Sequence, residues 1–139
     1  MKRELIENNP ILRLTFDFSL KIIAYTEDLE KLRRFPLGNQ LFKSGTSIGA
    51  NAMEAQNAES KPDFIHKLKI AAKEAEETQY WLMLCERAEN YPDTANLLLE
   101  LEEIHKVLGS ILKSAKKNNP LSFFWASLMF FILNLVLNR

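Results

Sequence analysis

His66 and His105 are the only histidines and Cys85 the only cysteine, so they bound the metal and nucleophilic chemistry open to the chain. Glu102 and His105 have the Glu-x-x-His spacing that sets two ligands on one helix face, and Asp63 and His66 repeat it with a shorter acid. A di-iron bundle needs that motif on two helices and further carboxylates facing inward. The first half of the chain supplies few acids at mid-helix. Glu102 and His105 also lie beside the apolar stripe Leu101, Ile104 and Leu108 instead of on it. Both histidines are expected at the surface, with no metal and no cofactor. Cys85 sits in an apolar run with no histidine near it in sequence, which reads as a buried, inert thiol. Ser44, Ser47 and Ser60 have no identifiable base. Glu74, Glu76 and Glu77 read as a solvated helix face, partly paired with Lys69 and Lys73. No acid, base and nucleophile assemble, so the chain is not expected to be an enzyme.

The elements that would position these residues are helical. Pro10, Pro36, Pro62, Pro92 and Pro120 recur every 26 to 30 residues. Proline is tolerated in a helix's first turn and breaks its interior, so this spacing suggests segment starts. Over residues 11–34, Ile11, Leu14, Phe18, Ile22, Tyr25, Leu29 and Leu32 step by three and four, forming one apolar stripe. A second segment, 38–58, turns Leu41, Ile48, Ala52 and Ala55 inward. A third opens on Ser60-Lys61-Pro62-Asp63, which resembles a capping box with Asp in place of Glu, and runs to about residue 90. A fourth follows Pro92 with Leu97, Leu101, Ile104, Leu108, Ile111 and Ala115 at helical spacing. No segment alternates with a period of two. Four helices of about 20 to 28 residues joined by short connections predict an all-α, antiparallel up-down-up-down four-helix bundle.

Two stretches ask for more than a bundle. Tyr80-Trp81-Leu82-Met83-Leu84-Cys85 is apolar around the whole helix circumference. Either it is a wide core face, or Tyr80, Trp81, Met83 and Leu84 form an interface with another subunit, which is the preferred reading. Gly45 and Gly49 stand four apart in a run of small residues with Ala52, and mid-helix glycines cost about 1 kcal/mol each. Close helix packing is the simplest reading. A phosphate loop would need Gly-Lys-Ser/Thr after a strand, and a membrane dimer motif is excluded by Lys43 and Glu54 on either side.

The segment Lys43-Ser44-Gly45-Thr46-Ser47-Ile48-Gly49-Ala50-Asn51 is followed by Glu54-Ala55, Ser60, Asp63-Phe64, Lys67-Leu68, Ile70-Ala71, Lys73-Glu74-Ala75, Glu77 and Tyr80-Trp81-Leu82. This pattern resembles the bacterial four-helix-bundle family of proteins encoded in intervening sequences of 23S rRNA genes. The resemblance covers roughly residues 10–117, with Lys43 where the family commonly has arginine. It implies an up-down bundle, assembly as a cyclic homopentamer and no established enzymatic activity. The related accessory proteins of diversity-generating retroelements are similar in fold and bind nucleic acid and a reverse transcriptase, an analogy only for this chain.

Lys plus Arg and Asp plus Glu number 18 each, so whole-chain charge gives no support to non-specific nucleic-acid binding. An antiparallel bundle would nonetheless segregate charge. One end would gather Lys61, Lys67, Lys69, Lys113, Lys116 and Lys117 with Lys2, Arg3 and Arg13, against Glu4, Glu7, Asp17, Glu59 and Asp63. The other would be acidic, with Glu27, Asp28, Glu30, Glu86, Glu89, Asp93, Glu100, Glu102 and Glu103 against Lys31, Arg33, Arg34 and Arg87. A ring would multiply the basic pole, giving a rim able to hold RNA or DNA phosphates; the competing reading is an ordinary mixed surface. Few aromatics interleave these lysines, so base stacking is not supported. The expected function is therefore a non-enzymatic homo-oligomer that binds nucleic acid. The alternative is an interaction or membrane-tethered scaffold with no nucleic-acid role.

The 139 residues are 47% apolar and 26% charged, with four glycines and five prolines, which excludes disordered, collagen-like and turn-rich all-β chains. They divide into a bundle, 1–117, and an apolar tail, 118–139. From Leu121 to Leu137 the tail has no charge, and an extra C-terminal helix there would be about 25 Å long, at the low edge for a bilayer core of about 30 Å. A C-terminal membrane anchor, an oligomer-packing helix and a non-native extension remain open. One cysteine fits a reducing compartment, and Met1-Lys2-Arg3-Glu4 leads into no signal-peptide core, so a cytoplasmic protein is expected.

Overall fold

Proline and its neighbours set where the helices begin. In the computed structural model, which describes residues 2–117 and the single position 133, five helices follow one another: α1 (Lys2–Asn8), α2 (Pro10–Lys31), α3 (Phe35–Ala55), α4 (Lys61–Arg87) and α5 (Ala95–Lys116). Among the described residues there is no strand. The extra C-terminal helix, the membrane reading of 121–137 and Pro120 fall on residues that, position 133 aside, lie outside the described ones. Among those described, no helix is long and apolar enough to cross a membrane.

Pro10, Pro36 and Pro62 occupy the first turns of α2, α3 and α4, where a missing N–H removes no helical bond. Pro92 departs from the expected pattern. It lies in the 88–94 connection, two residues before the N-cap Thr94, and its carbonyl accepts a 2.9 Å hydrogen bond from the Tyr25 hydroxyl. Asn9 caps α2 through Leu12 N, and Ser60 caps α4 through Asp63 N at 3.2 Å. Asp63 completes the box one residue early: its shorter side chain accepts from Glu59 N (3.2 Å). α2 stops three residues before the expected end because the chain reverses through residues 32–34, with Arg33 at φ 57°. α3 therefore starts at Phe35 and ends at Ala55, and α4 ends at Arg87. The seven-residue α1, unforeseen in the sequence, packs on α2.

The inward stripes meet in one core of Ile11, Phe18, Ile22, Leu29, Leu41, Ile48, Leu68, Leu82, Leu101, Ile104 and Leu108, all essentially sealed from solvent. Two expected members of the α2 stripe depart: Leu14 is half-buried and Leu32 is exposed in the turn. α3 packs between α2 and α4, α5 packs on α4, and α5 closes the ring onto α2. Contacts run in reverse order along each seam. Thr15 and Ile22 meet Gly49 and Gly45, Lys67 and Thr78 meet Glu54 and Ser44, and Lys21 and Tyr25 meet Glu100 and Pro92. The four long helices are thus an antiparallel up-down-up-down bundle, with α1 as the fifth helix.

Two seams show how the small residues act. A Cβ on Gly45 would lie 2.8 Å from Ile22 Cγ1 and 2.9 Å from Cγ2, and one on Gly49 would lie 3.3 Å from the Thr15 carbonyl oxygen. α2 and α3 approach more closely than side chains there allow, and Ala52 is fully buried one turn on. On the other side of α3, the Ser44 and Thr78 hydroxyls are buried 3.0 Å apart, and the Thr78 hydroxyl donates to Glu74 O at 2.7 Å.

Candidate nucleic-acid interface

The antiparallel path brings the start of α4 against the end of α5. Lys61 Nζ donates to the Lys117 carbonyl oxygen at 3.2 Å, placing an ammonium on the negative end of the α5 dipole. Beside this contact is a recess of about 440 Å³ lined by Lys61, Pro62, Ile65, His66, Lys69, Ala115 and Lys116. Three of the six expected lysines therefore converge, with an exposed imidazole between them and an apolar floor of Ile65 and Ala115. No aromatic side chain lines it, so the recess offers charge and shape without a stacking surface.

The other three lysines do not join them. Lys67 points into the α3–α4 seam and pairs with Glu54 at 2.8 Å; that hydrogen bond and charge hold its ammonium above the usual lysine range. Glu54 was absent from the acids expected at this end, because the stripes do not fix how far α3 and α4 are offset. Lys113 and Lys117 are exposed outside the recess. His66, Pro62 and Ile65 were missed as candidates. Pro62, His66 and Lys69 are spaced by four and three, so a helical wheel of α4 would have put them together.

The residues that first invited catalytic readings are otherwise engaged. Cys85 is buried, and loss of solvent pushes its thiol up, away from the reactive thiolate, with the Tyr25 hydroxyl beside it. Ser60 is a helix cap, Ser44 faces Thr78, and the Ser47 hydroxyl donates to Lys43 O at 2.6 Å. Glu102 and Glu103 both bind Lys106 at 3.3 Å. His66 is exposed as expected, but His105 is half-buried with its Nε2 enclosed. Among the described residues, no group of three or more potential ligands is arranged for a metal.

The apolar run on α4 divides. Leu82 and Cys85 enter the core, whereas Tyr80, Met83 and Leu84 are 57%, 41% and 39% exposed. Trp81 is half-buried, edge-on to Tyr80 with ring centroids 5.1 Å apart, and its Nε1 donates to Glu77 at 3.2 Å.

The model of the family described as 23S rRNA-intervening sequence protein matches residues 7–110, from the end of α1 into α5. The chain belongs to this family. A crystal structure of a protein of unknown function from the S23 ribosomal protein family of Bacteroides thetaiotaomicron VPI-5482 is 40% identical to it. That likeness covers 74% of this chain and 98% of the other, with a TM-score of 0.71. No curated protein matches the chain. The 23S rRNA-intervening sequence match includes the α4 wall of the recess but stops short of Lys113, Ala115, Lys116 and Lys117. The α5 side of the basic recess is thus outside the matched region.

Proposed function

We propose that this chain is a non-enzymatic, homo-oligomeric helical bundle that holds RNA or DNA phosphates at its basic end. The observation that carries the reading is the convergence of Lys61, Lys69 and Lys116 with His66 on one recess. Phosphate recognition needs clustered cations and no particular base contact, which is the chemistry this recess offers. Repetition of the recess around a ring, a homopentamer by the family resemblance, would give a strand several points of purchase and raise avidity without new contacts. A single buried thiol fits a reducing cytoplasm.

The test is a polarisation titration of labelled single-stranded RNA and DNA between about 50 and 200 mM salt. Affinity is expected to fall steeply with salt. The paired change Lys69→Glu with Lys116→Glu should weaken binding and flatten the log–log salt slope by about one for each lysine. Binding indifferent to salt, or to the paired reversal, would overturn the reading.

The exposed Tyr80, Met83 and Leu84 favour a second one, an assembly scaffold with no nucleic-acid role. Ordinary assembly with no measurable binding of either nucleic acid would select it. A tether to membrane through 121–137 belongs to this second reading, and flotation of the full chain with lipid vesicles would reveal it.

A further inference from the structure

Two exposed apolar patches sit on different sides of the bundle. One is the ridge on α4 made by Tyr80, Met83 and Leu84. Arg87 lies three residues after Leu84 at one end of the ridge; at the other, Lys73 lies two turns before Tyr80, with the exposed Glu76 between them and Glu77 accepting from Trp81 Nε1. The other patch is the outer groove between α2 and α3. Here a cavity of about 310 Å³ is walled by Ile23, Phe35 and Phe42, with Glu27 and Glu30 on its rim. Phe35 and Phe42 are 46% and 49% exposed, and Leu20 and Phe16, three and seven residues before Ile23 on α2, are exposed as well. Among the described residues, the side chains of Lys73, Arg87, Glu27 and Glu30 have no ion-pair partner in their own chain.

From this we infer that the α4 ridge of one copy seats in the α2–α3 groove of a second copy, with Lys73 and Arg87 meeting Glu27 and Glu30. The inference rests on the homo-oligomeric reading above and names the two surfaces that would make it. Ridge and groove match in three respects. Each is apolar at its centre and charged at its margin, the ridge's Lys73 and Arg87 complement the groove's Glu27 and Glu30 although Glu76 also flanks the ridge, and an outward row of side chains faces a cavity. Such an arrangement is typical of protein interfaces, with a hydrophobic centre inside a polar rim. α2 and α4 occupy opposite corners of the bundle, since each packs on α3 and α5. A copy can therefore use its ridge and its groove at the same time. The contact is heterologous, head to tail, and closes into a ring when the rotation between copies permits.

A mixing experiment with the full chain tests this. Leu84→Glu disables the ridge and leaves the groove, and Phe42→Glu disables the groove and leaves the ridge. Both side chains are exposed, and circular dichroism will report whether each variant keeps its helices. By light scattering, each variant alone is expected at the mass of one chain, 16.1 kDa. An equimolar mixture is expected at the mass of two, because one intact ridge meets one intact groove and growth then stops. As a check that spares the apolar residues, Glu30→Lys and Arg87→Glu should each weaken assembly, and a mixture of the two should recover it.

The pairing is overturned if either apolar variant assembles like the unaltered chain, or if their mixture remains at the mass of one. In those cases the homo-oligomeric reading survives with another interface. An unaltered chain found only at the mass of one chain sinks both. Nucleic-acid binding is judged separately on the Lys69 and Lys116 variants, which leave ridge and groove intact.

Discussion

Gly45 and Gly109 are both helical glycines, and the same substitution should move stability in opposite directions. At Gly109 an added Cβ meets nothing within 4 Å, so Gly109→Ala keeps only the backbone benefit and should stabilise by about 0.5–1 kcal/mol. At Gly45 it would press on Ile22 Cγ1 and Cγ2, close to the backbone of a β-branched, fully buried side chain with little rotamer freedom. Overpacking costs typically about 1–3 kcal/mol and the contacts fall on the stiff base of the side chain, so the helix gain of about 1 kcal/mol is outweighed and Gly45→Ala should be net destabilising by up to about 2 kcal/mol. Urea midpoints at constant slope for the two variants check both signs. The small-residue spacing was visible in the sequence, but the identity of the residue opposite Gly45 was not. Ile22 is one of several isoleucines and leucines of suitable type, and only the offset of α2 against α3 selects it.

Among the elements, the long helices were legible because burial repeats every three or four residues, and α2, α3 and α5 carry that repeat plainly. Pro92 was not legible, since proline suits both a helix start and the loop that leads to one. The outward turn of Tyr80, Met83 and Leu84 was equally hidden: an apolar run around a whole helix has no preferred side in sequence. α1 is too short for a stripe to register. The 88–94 connection is the longest among the described helices, and the Tyr25 hydroxyl fastens it to α2 through Pro92 O. Tyr25→Phe removes that donor while keeping the ring in the core. It should cost about 1 kcal/mol and speed amide exchange in the connection more than in the α2–α3 turn. Equal exchange in both places would show that the hydroxyl does not anchor the connection.

For the whole molecule, equal numbers of cations and anions conceal a division between the ends of the bundle, and the structure tempers it. Lys67 is engaged by Glu54, so the basic end is weaker than a count of lysines suggested and is concentrated on the recess. A chain with zero formal charge and an isoelectric point of about 6.7 has little general repulsion to keep copies apart near neutrality. Its solubility is therefore expected to pass through a minimum near that pH and to rise on either side, as a precipitation series across pH will show.

The hydroxyl pair between α3 and α4 has a consequence for how that seam is aligned. A helix that slides one turn along its neighbour exchanges one greasy contact for another of similar worth. The same slide would offset Ser44 from Thr78 by about 5.4 Å along the axis and leave the Ser44 hydroxyl in oil without its partner, while Thr78 would keep only its bond to Glu74 O. The seam thus behaves like a rail with a single notch, in which slippery surroundings supply adhesion and two small alcohols supply the address.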